Sequence, residues 1–277
     1  MATVAFQGER GAYGEEALVR YFDRHAEPSP CKSFLDVFAA VASRTADCGL
    51  VPVENSQAGS INDVYDLLRQ FDLFVTGEIV HPVNLCLMAL PGQTPGAITR
   101  VISHPVALAQ CDRHLRQLGV EIVATYDTAG SAKLIREQGL QGVAAVAGAG
   151  AAELYGLDIL ARNIQTVQNN VTRFVELSRT PGERRPGLQK TMVVMAVAHQ
   201  PGSLYRALGA LAERAINVTK LESRPAKNQP FEYVFYVDFE GHREDANVRE
   251  GLAELAGYTT FCKVLGSFAR DAGPEPT

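Results

Sequence analysis

Cysteine is scarce in this 277-residue sequence, and tryptophan is absent. The five cysteines are odd in number and widely spaced, and no two form a CxxC pair, which argues against a disulfide framework and a thiolate zinc site. His104, Cys111 and His114 come nearest to a metal cluster, but their spacing along a predicted helix puts only two of them within one turn. We therefore expect no bound metal.

Long apolar runs and runs of basic residues are also missing. No segment approaches the roughly 18 apolar residues that a membrane span needs, and no charged-then-apolar segment precedes the strand-like residues 3–6. The net charge of -5 argues against nucleic acid and against an anionic membrane surface as partners. It leaves room for an anionic small substrate, because a local pocket can be positive on an acidic protein. We expect a cytoplasmic protein.

The remaining composition is that of an ordinary globular protein. Hydrophobic residues make up 46% of the chain and charged residues 21%, and the length suits one large or two ordinary domains. Residues 179–187 read RTPGERRPG, which is the composition of a linker. We therefore predict a first domain over residues 1–180, a linker over 181–189, a second domain over 190–269 and a disordered tail over 270–277.

Strand and helix patterns alternate through the first predicted domain, which indicates an α/β fold. Its predicted strands cover residues 3–7, 48–53, 73–80, 84–90, 101–104, 120–126, 143–147 and 171–178, and residues 164–178 close the domain. Its predicted helices cover residues 15–24, 33–44, 61–70, 107–118 and 127–138. The second domain has the order βαββαβ, from strands at 191–198, 217–223, 231–239 and 259–267 and helices at 204–215 and 246–256. This order is the split βαβ arrangement.

Two glycine-rich segments follow predicted strands, and neither indicates a nucleotide site. Residues 8–14 (GERGAYG) space their glycines three apart, unlike the GxGxxG pattern of dinucleotide-binding proteins. Residues 148–153 (GAGAAE) begin as GxG, but Glu153 occupies the third glycine position, where its carboxylate would repel a pyrophosphate. Small residues for close helix packing explain this segment better. We therefore expect no cofactor.

The predicted strand at 48–53 ends in polar residues ahead of a helix. Asn55 and Ser56 follow the strand directly, and Ser60 with Asp63 resembles a capping box for the next helix. In open α/β sheets, ligands bind at the carboxyl ends of the strands. Ordinary turn chemistry is the structural alternative, because Asn and Ser favour turns.

A second strand repeats this arrangement. It ends in Ser103 and His104, and Pro105 occupies a favourable first helical position ahead of a helix that Gly119 is expected to end. The unpaired amides of that helix start, with the two polar side chains beside them, suit a carboxylate. The alternative is that His104 only caps the helix.

Residues 169–174 read NNVTRF and begin the last strand of the first domain. Packing in a strand favours branched and aromatic residues, but it gives no reason for Arg173 between Thr172 and Phe174. A strand also turns alternate side chains to opposite faces, so Arg173 joins its neighbours in one pocket only if the strand start is bent. The structural alternative is an edge strand whose arginine reaches solvent.

Several motifs in order resemble the prephenate dehydratase family and its close relative, arogenate dehydratase. The resemblance covers essentially the whole chain and rests on VAFQGERGAYGEEA, GLVPVENSQAGSI, VISHPVALAQC, DTAGSA, NNVTRF, PGSLYRAL and ESRP. It implies a catalytic domain of two α/β lobes like those of type II periplasmic binding proteins, followed by a ferredoxin-like ACT domain. It also implies that the chain crosses between the lobes near 75–80 and returns near 159–167.

The resemblance further implies the residues of a catalytic site. Thr172 would act at the departing ring hydroxyl, Arg173 would clamp a substrate carboxylate, and Phe174 with Tyr13 would supply apolar walls. The other substrate-binding residues implied are Asn55, Ser56, Ser60, Ser103, His104 and Thr128. The sequence departs from the common family pattern at Ala12 and Gly14, where other members carry hydroxyl residues.

In the second domain the resemblance implies an allosteric site for L-phenylalanine. Its residues would be Gly202, Ser203, Leu204, Asn217, Val218, Glu222, Ser223, Arg224 and Pro225. The helix start at Ser203 would suit the carboxylate of the amino acid, and Asn217 its ammonium group. The structural alternative is that these segments are only a helix start and a strand end. Family ACT domains pair through their sheets, so we expect a homodimer or a homotetramer.

Three functional hypotheses remain at this point. The first is a prephenate dehydratase that forms phenylpyruvate, CO2 and water and is inhibited by phenylalanine. The second is arogenate dehydratase, whose substrate carries an amino group in place of the keto oxygen. The third is an amino-acid-binding regulator without catalytic activity, against which the intact NNVTRF motif argues.

Overall fold

Three β-sheets carry the described part of the computed structural model, which covers residues 1–23, 25–226 and 233–273. The chain divides into two compact units. Unit 1 contains Met1–Ile61 and Ile79–Phe174, and unit 2 contains Asn62–Glu78 and Val175–Ala272. None of the helices in the described ranges has the length and apolar character needed to cross a membrane. The ends of three predicted segments, at 24, 231–232 and 274–277, lie outside the described residues.

The elements up to residue 178 alternate between strand and helix. In chain order they are β1 (Ala2–Gln7), α1 (Tyr13–Tyr21), β2 (Ala26–Cys31), α2 (Phe34–Ala42), β3 (Cys48–Asn55), β4 (Gly59–Ser60), α3 (Asn62–Gln70), β5 (Phe74–Pro82), β6 (Cys86–Ala89), β7 (Arg100–Ser103), α4 (Pro105–Gln110), α5 (Asp112–Leu118), β8 (Glu121–Ala124), α6 (Thr128–Gln138), β9 (Val143–Ala147), α7 (Ala149–Tyr155), β10 (Asp158–Ala161) and β11 (Val171–Ser178). A short 3-10 turn lies between β6 and β7.

Two of the sheets define two lobes within unit 1. The first sheet has the order β2-β1-β3-β11-β5 with β4 paired to β3, and the second has the order β10-β6-β9-β7-β8. We call residues 1–61, 79–82 and 171–174 the first lobe and residues 83–161 the second lobe. One apolar cluster contains residues of both lobes, among them Phe6 and Met88, and a second cluster, which includes Leu87 and Val146, lies mainly in the second lobe.

The positions at which the chain crosses between the lobes differ from those implied by the family resemblance. Residues 75–80 lie inside β5 of the first sheet, so the chain crosses only at residues 83–85. Ile159 lies in β10 of the second sheet, and residues 162–170 make the return. This return segment, which we call the connecting segment, contributes to the site described below.

Local sequence signals explain several helix boundaries. Pro105 occupies the first turn of α4, as the sequence predicts. Ser33 and Asp36 form a reciprocal capping box at the start of α2. Gly119 ends α5 in the left-handed conformation that glycine adopts without strain. The single helix predicted over 107–118 is wrong, because the backbone leaves helical geometry at Cys111 and divides it into α4 and α5.

Three short strands, β2, β4 and β10, were not predicted from the sequence patterns. β2 reads AEPSPC, and its two prolines are tolerated because the strand lies at the edge of its sheet. Ser60 belongs to β4 and pairs with Glu54 of β3, so the helix that Ser60 was expected to start begins at Asn62 instead.

Unit 2 contains the predicted βαββαβ arrangement. Its elements are β12 (Gln189–Val197), α8 (Ser203–Ala212), β13 (Val218–Pro225), β14 (Tyr233–Glu240), α9 (Ala246–Gly257) and β15 (Thr259–Ala269). The antiparallel sheet has the order β13-β14-β12-β15, and its core includes Val193, Leu211, Phe239 and Leu255. The predicted ferredoxin-like domain is therefore confirmed in fold.

A buried ion pair joins the start of this sheet to β5 within unit 2. The Nζ atom of Lys190 lies 2.8 Å from each carboxylate oxygen of Glu78, and both side chains are almost fully buried. A buried charge is tolerated only with its partner, so each residue depends on the other.

Replacement of Lys190 by Met should therefore lower the free energy of unfolding by about 3–5 kcal/mol, because it leaves the Glu78 carboxylate buried without its cation. The measurement is urea unfolding followed by circular dichroism. Replacement of the exposed Lys32 by Met is the matched control and should leave the midpoint unchanged. The double replacement of Lys190 by Met and Glu78 by Gln should recover part of the loss. An unchanged midpoint for the single variant would contradict the prediction.

Candidate active site

The end of β3 and the start of β11 are held side by side by Ser56. Its backbone N–H donates to the carbonyl oxygen of Val171 at 2.9 Å. Its hydroxyl oxygen accepts from the backbone N–H of Val171 at 3.1 Å and donates to the carbonyl oxygen of Asn169 at 3.2 Å. Ser56 therefore fixes the backbone from which Thr172 projects.

Asn55 and Thr172, two residues of the predicted site, are in direct contact. The Nδ2 atom of Asn55 donates to the Oγ1 atom of Thr172 at 2.9 Å, and both side chains are buried. The Oδ1 atom of Asn55 accepts from the backbone N–H groups of Gln57 and Ala58 at 3.0 and 2.9 Å. Because a backbone N–H can only donate, these two bonds fix the orientation of the Asn55 amide and turn its Nδ2 toward Thr172.

Asn55 also belongs to a closed ring of three amides. Its Nδ2 donates to Oδ1 of Asn170 at 2.8 Å, and Nδ2 of Asn170 donates to Oε1 of Gln110 at 3.0 Å. Nε2 of Gln110 closes the ring by donating to Oδ1 of Asn55 at 3.3 Å. We call these three side chains the amide ring. They come from the first lobe, the connecting segment and the second lobe, so the ring links all three.

Sequence reasoning did not single out Gln110 or Asn170. Gln110 is the last residue of α4, directly before the break at Cys111, and Asn170 is the second residue of NNVTRF. The motifs contained both residues, but only the return of the connecting segment to β11 brings them to Asn55.

The hydrogen bond from Asn55 determines what the hydroxyl of Thr172 can do. A threonine hydroxyl has one proton to donate and can accept through its oxygen. Since the oxygen already accepts from Asn55, the O–H proton is directed away from the amide and toward another acceptor. Thr172 is therefore arranged as an oriented hydrogen-bond donor.

Arg173 and Phe174 are placed differently from Thr172. Strand alternation turns Arg173 to the opposite face from Thr172, and its guanidinium lies 3.5 Å from the carboxylate of Glu54. The neighbours in β3 show the same division, because Asn55 contacts Thr172 while Glu54 contacts Arg173. Phe174 is only 3% exposed and belongs to the buried apolar cluster that contains Phe6, so its prediction as an open pocket wall is corrected.

Ser103 and His104 have structural partners in the second lobe. Ser103 is fully buried and its hydroxyl donates to the carbonyl oxygen of Val146 at 2.6 Å, which corrects its prediction as a substrate ligand. His104 is the N-cap of α4, where its Nδ1 accepts from the backbone N–H of Val106 at 3.3 Å. The strand end therefore supplies a helix cap, as the structural alternative stated.

Thr128 is the first residue of α6, directly after the capping residue Asp127. Burial raises the pKa of Asp127, and the negative charge of Glu9 raises it further. The hydrogen bond from the backbone N–H of Gly130 and the electrostatic interaction with His104 act in the opposite direction, toward a lower pKa. Asp127 thus adds a partly desolvated carboxyl beside Thr128 that the sequence patterns did not indicate.

Tyr13 lies where the first lobe meets the outward crossing of the chain. Its hydroxyl donates to the carbonyl oxygen of Asn84 at 2.7 Å, and burial together with the charge of Glu16 raises its pKa well above the usual range. The neutral phenol is therefore committed to a backbone contact.

A cavity of about 530 Å³ lies beside the amide ring, within the size range of small-molecule sites. Gln57 comes to its wall from the first lobe, Arg113 from the second lobe, and Thr166 from the connecting segment. Gln110 and Asn170 belong to both the wall and the amide ring. Small polar ligands would therefore meet amide groups here.

A second cavity, of about 500 Å³, lies in unit 2 at the start of α8. Its lining includes Gly202, Ser203 and Leu204 together with Tyr233 and Phe235. Gly202 has a φ of 80°, the left-handed conformation that lets the chain turn into α8. Three of the nine predicted effector residues thus line one cavity.

The other predicted effector residues are distributed along β13. Pro225 pairs with Tyr233 of the cavity wall, whereas Val218 pairs with Phe239 at the other end of the strand. Seven residue steps separate these ends, which is roughly 23 Å in a strand. Asn217, next to Val218, is therefore too far from Ser203 for one amino acid to contact both within a single copy of the chain.

Comparison with known proteins identifies the family of both domains. The family model for prephenate dehydratase matches residues 4–182, and the model for the ACT domain matches residues 191–257. The chain belongs to the prephenate dehydratase family. The predicted fold, an α/β catalytic domain followed by an ACT domain, is confirmed. The predicted domain boundaries stay predictions.

Two curated plant relatives match almost the whole chain. Arogenate dehydratase 1 of Petunia hybrida is 45% identical over 289 residues, which is 98% of this chain and 68% of the relative. A chloroplastic arogenate dehydratase/prephenate dehydratase 6 of Arabidopsis thaliana is 44% identical over 99% of this chain and 70% of the relative.

Two solved structures share the fold over nearly their full length. Prephenate dehydratase of Arthrobacter aurescens in complex with L-Phe has a TM-score of 0.87 and 31% identity, with 97% of this chain and 90% of that chain covered. GqqA, described as a novel type of quorum quenching acylase, has a TM-score of 0.89 and 38% identity, with 98% of each chain covered.

Proposed function

We propose that this protein is a prephenate dehydratase, which forms phenylpyruvate, CO2 and water in phenylalanine biosynthesis. The observation that carries the proposal is the Thr172 hydroxyl, whose oxygen accepts from Asn55 so that its proton remains available for donation, in a chain of this family. The reaction breaks the bond between the ring and its carboxylate and uses those electrons to complete the aromatic ring. The ring hydroxyl then leaves with one added proton as water.

Departure of the hydroxyl is the step that needs assistance, because hydroxide is a poor leaving group. Positioned proton donation is worth about 10²–10⁴-fold in rate. Threonine is a weak free acid, so Thr172 acts as an oriented donor that passes a proton to the departing oxygen and regains one from hydronium in the solvent. One H+ is thus consumed for each water formed. The driving force of aromatisation makes a cofactor unnecessary for this step.

The relatives favour a second candidate, arogenate dehydratase. The curated relatives carry that name, and some carry both names. Arogenate and prephenate share the ring that reacts and differ only in the side chain, so the role proposed for Thr172 is the same for either substrate. We place prephenate first because solved structures of this fold carry that name.

Similarity to GqqA adds a hydrolytic candidate. Amide hydrolysis needs a nucleophile activated by a neighbouring base. The group that contacts the Thr172 hydroxyl oxygen is an amide N–H donor, which makes that oxygen a poorer nucleophile. The described geometry therefore favours proton donation over nucleophilic attack. A regulator without catalytic activity would have no use for this oriented hydroxyl.

Purified protein mixed with prephenate or with arogenate should form an aromatic product, and replacement of Thr172 by Val should lower kcat by about 10²–10⁴-fold. Valine keeps the shape and removes the donor. The measurement is the initial rate of product absorbance with each substrate, with an N-acyl amide as a third substrate. Replacement of the exposed Thr94 by Val, away from both cavities, is the matched control. No product from either ring substrate would refute both dehydratase hypotheses, and an unchanged kcat would remove Thr172 from the mechanism.

We also propose that Arg173 binds a substrate carboxylate in exchange for its contact with Glu54. A guanidinium matches a carboxylate with two parallel hydrogen bonds, and its present partner is partly exposed and therefore releasable. The exchange would turn the guanidinium from the Glu54 face toward the substrate.

Replacement of Arg173 by Met should raise KM roughly 10- to 100-fold, the worth of one charge-assisted contact. Replacement of Glu54 by Gln should leave KM unchanged or lower it, because it removes a carboxylate that competes with the substrate for the guanidinium. Steady-state kinetics of the two variants measure this, with the exposed Arg116 replaced by Met as control. Equal losses of stability in both variants, with KM unchanged, would show that the pair is only structural.

The cavity of unit 2 is our proposed site for L-phenylalanine. A relative of the same fold was solved in complex with L-Phe, and the cavity contains a helix start suited to a carboxylate. Among the residues predicted for this site, Gly202, Ser203 and Leu204 are the ones that line the cavity. The predicted cytoplasmic location and the predicted homodimer or homotetramer stay predictions.

Replacement of Ser203 by Leu should fill the cavity at the helix start and bring the ratio of rates without and with phenylalanine to one. Wild type should show a ratio well above one. The dependence of the initial rate on phenylalanine concentration measures both, and replacement of the exposed Ser43 by Leu is the control. Inhibition that persists in the Ser203 variant would place the effector elsewhere.

A further inference from the structure

The amide ring has a direction, and the backbone sets it. Asn55 donates to Asn170, Asn170 to Gln110 and Gln110 to Asn55. If every amide turned over, the ring would still close, but Oδ1 of Asn55 would then face Thr172. The hydroxyl of Thr172 would then donate its proton to that oxygen, and the proton would no longer be available to a substrate. The N–H groups of Gln57 and Ala58 favour the observed sense, because they need Oδ1 of Asn55 as their acceptor.

Asn170 is the member of the amide ring that the connecting segment contributes, and it contacts one amide from each lobe. It is 2% exposed, and its carbonyl group accepts from Asn55 while its NH2 group donates to Gln110. An aspartate would keep the first contact and lose the second. Both functions of a primary amide are therefore used at this position.

The backbone of Asn170 is anchored separately from its side chain. Its carbonyl oxygen accepts from the N–H of Val83 at 2.8 Å, and its own N–H donates to the carbonyl oxygen of Gln168 at 2.9 Å. Replacement of the side chain leaves these bonds in place, so the side chain can be tested without removing the segment from its position.

We propose that Asn170 is a positioning residue of the dehydratase, which acts through Asn55 on the direction of the Thr172 hydroxyl proton. Without the carbonyl of Asn170, Oδ1 of Asn55 keeps its two backbone donors, but the NH2 group tilts toward the carbonyl oxygen of Val171, to which it already donates at 3.2 Å. The bond to Thr172 then weakens, and the hydroxyl rotates among several acceptors. Through Gln110, the same residue also makes this direction depend on the position of the second lobe. The inference rests on the proposed function.

The test compares Asn170→Ala, Asn170→Asp and Asn169→Ala with wild type in the dehydratase assay. Asn169 is the adjacent, exposed asparagine, so it controls for composition and place in the chain. We expect Asn170→Ala to lower kcat about 30-fold with KM within about threefold, since the lost contacts act on the transition state and not on binding. Asn170→Asp keeps the acceptor for Asn55 and should lose about tenfold. Asn169→Ala should match wild type.

The decisive measurement repeats Asn170→Ala in the Thr172→Val background. If Asn170 acts through the hydroxyl of Thr172, removal of that hydroxyl removes the effect, and the double variant should be within about twofold of Thr172→Val. A further 30-fold loss in the double variant would show a merely structural role and overturn the proposal. So would a raised KM with unchanged kcat, or an equal loss in Asn169→Ala.

Failure of this inference and failure of the proposed function give different results. Wild type without activity on prephenate and arogenate refutes the proposed function and the inference with it. Active wild type with Asn170→Ala and Asn170→Asp at wild-type kcat refutes the inference alone. Circular dichroism establishes that each variant is folded. If Asn170→Ala does not fold, Asn170→Asp carries the same comparison, and its double variant with Thr172→Val gives the same decision.

Discussion

The hydrogen bond from the Asn55 amide to the Thr172 hydroxyl is the interaction on which the candidate site depends. It is buried, so its partners cannot exchange it for water at low cost. Its direction follows from two backbone N–H groups of the turn after β3, which donate to Oδ1 of Asn55 and could not donate to its NH2 group. The turn after β3 thus orients the hydroxyl of Thr172 on β11 through uncharged groups alone.

Strand alternation then divides the site into two faces. On one face of β3 and β11, polar uncharged side chains orient a hydroxyl; on the other, Glu54 and Arg173 pair. The separation has a chemical consequence, because a guanidinium next to Thr172 would attract the substrate carboxylate that must leave as CO2. Loss of CO2 is easier where the departing carboxylate is poorly stabilised. The pair with Glu54 keeps this cation on the face away from Thr172, which is consistent with that requirement.

The sequence predicted the parts of this arrangement that are local. The position of Asn55 at the carboxyl end of a buried strand predicted its place in the site. Strand alternation predicted that Arg173 would point away from Thr172 unless the strand start were bent. Gln110 and Asn170 could not be found this way, because their role depends on two lobes and a connecting segment meeting at one point. Ser103 also lies at the end of a strand and was predicted to bind substrate on that ground. Its hydroxyl instead donates to the carbonyl oxygen of Val146 inside the second lobe.

Substrate choice is a separate problem from the chemistry at Thr172. Prephenate and arogenate present the same ring hydroxyl, so the role proposed for the amide ring does not distinguish between the two substrates. The difference lies in the side chain, where a keto oxygen accepts hydrogen bonds and an ammonium group donates them. A free amide could serve either by turning over, but the orientation of the amide ring is fixed from Asn55 outward. Discrimination must therefore come from residues outside the ring, and one site can carry the same proton-donating machinery for both substrates.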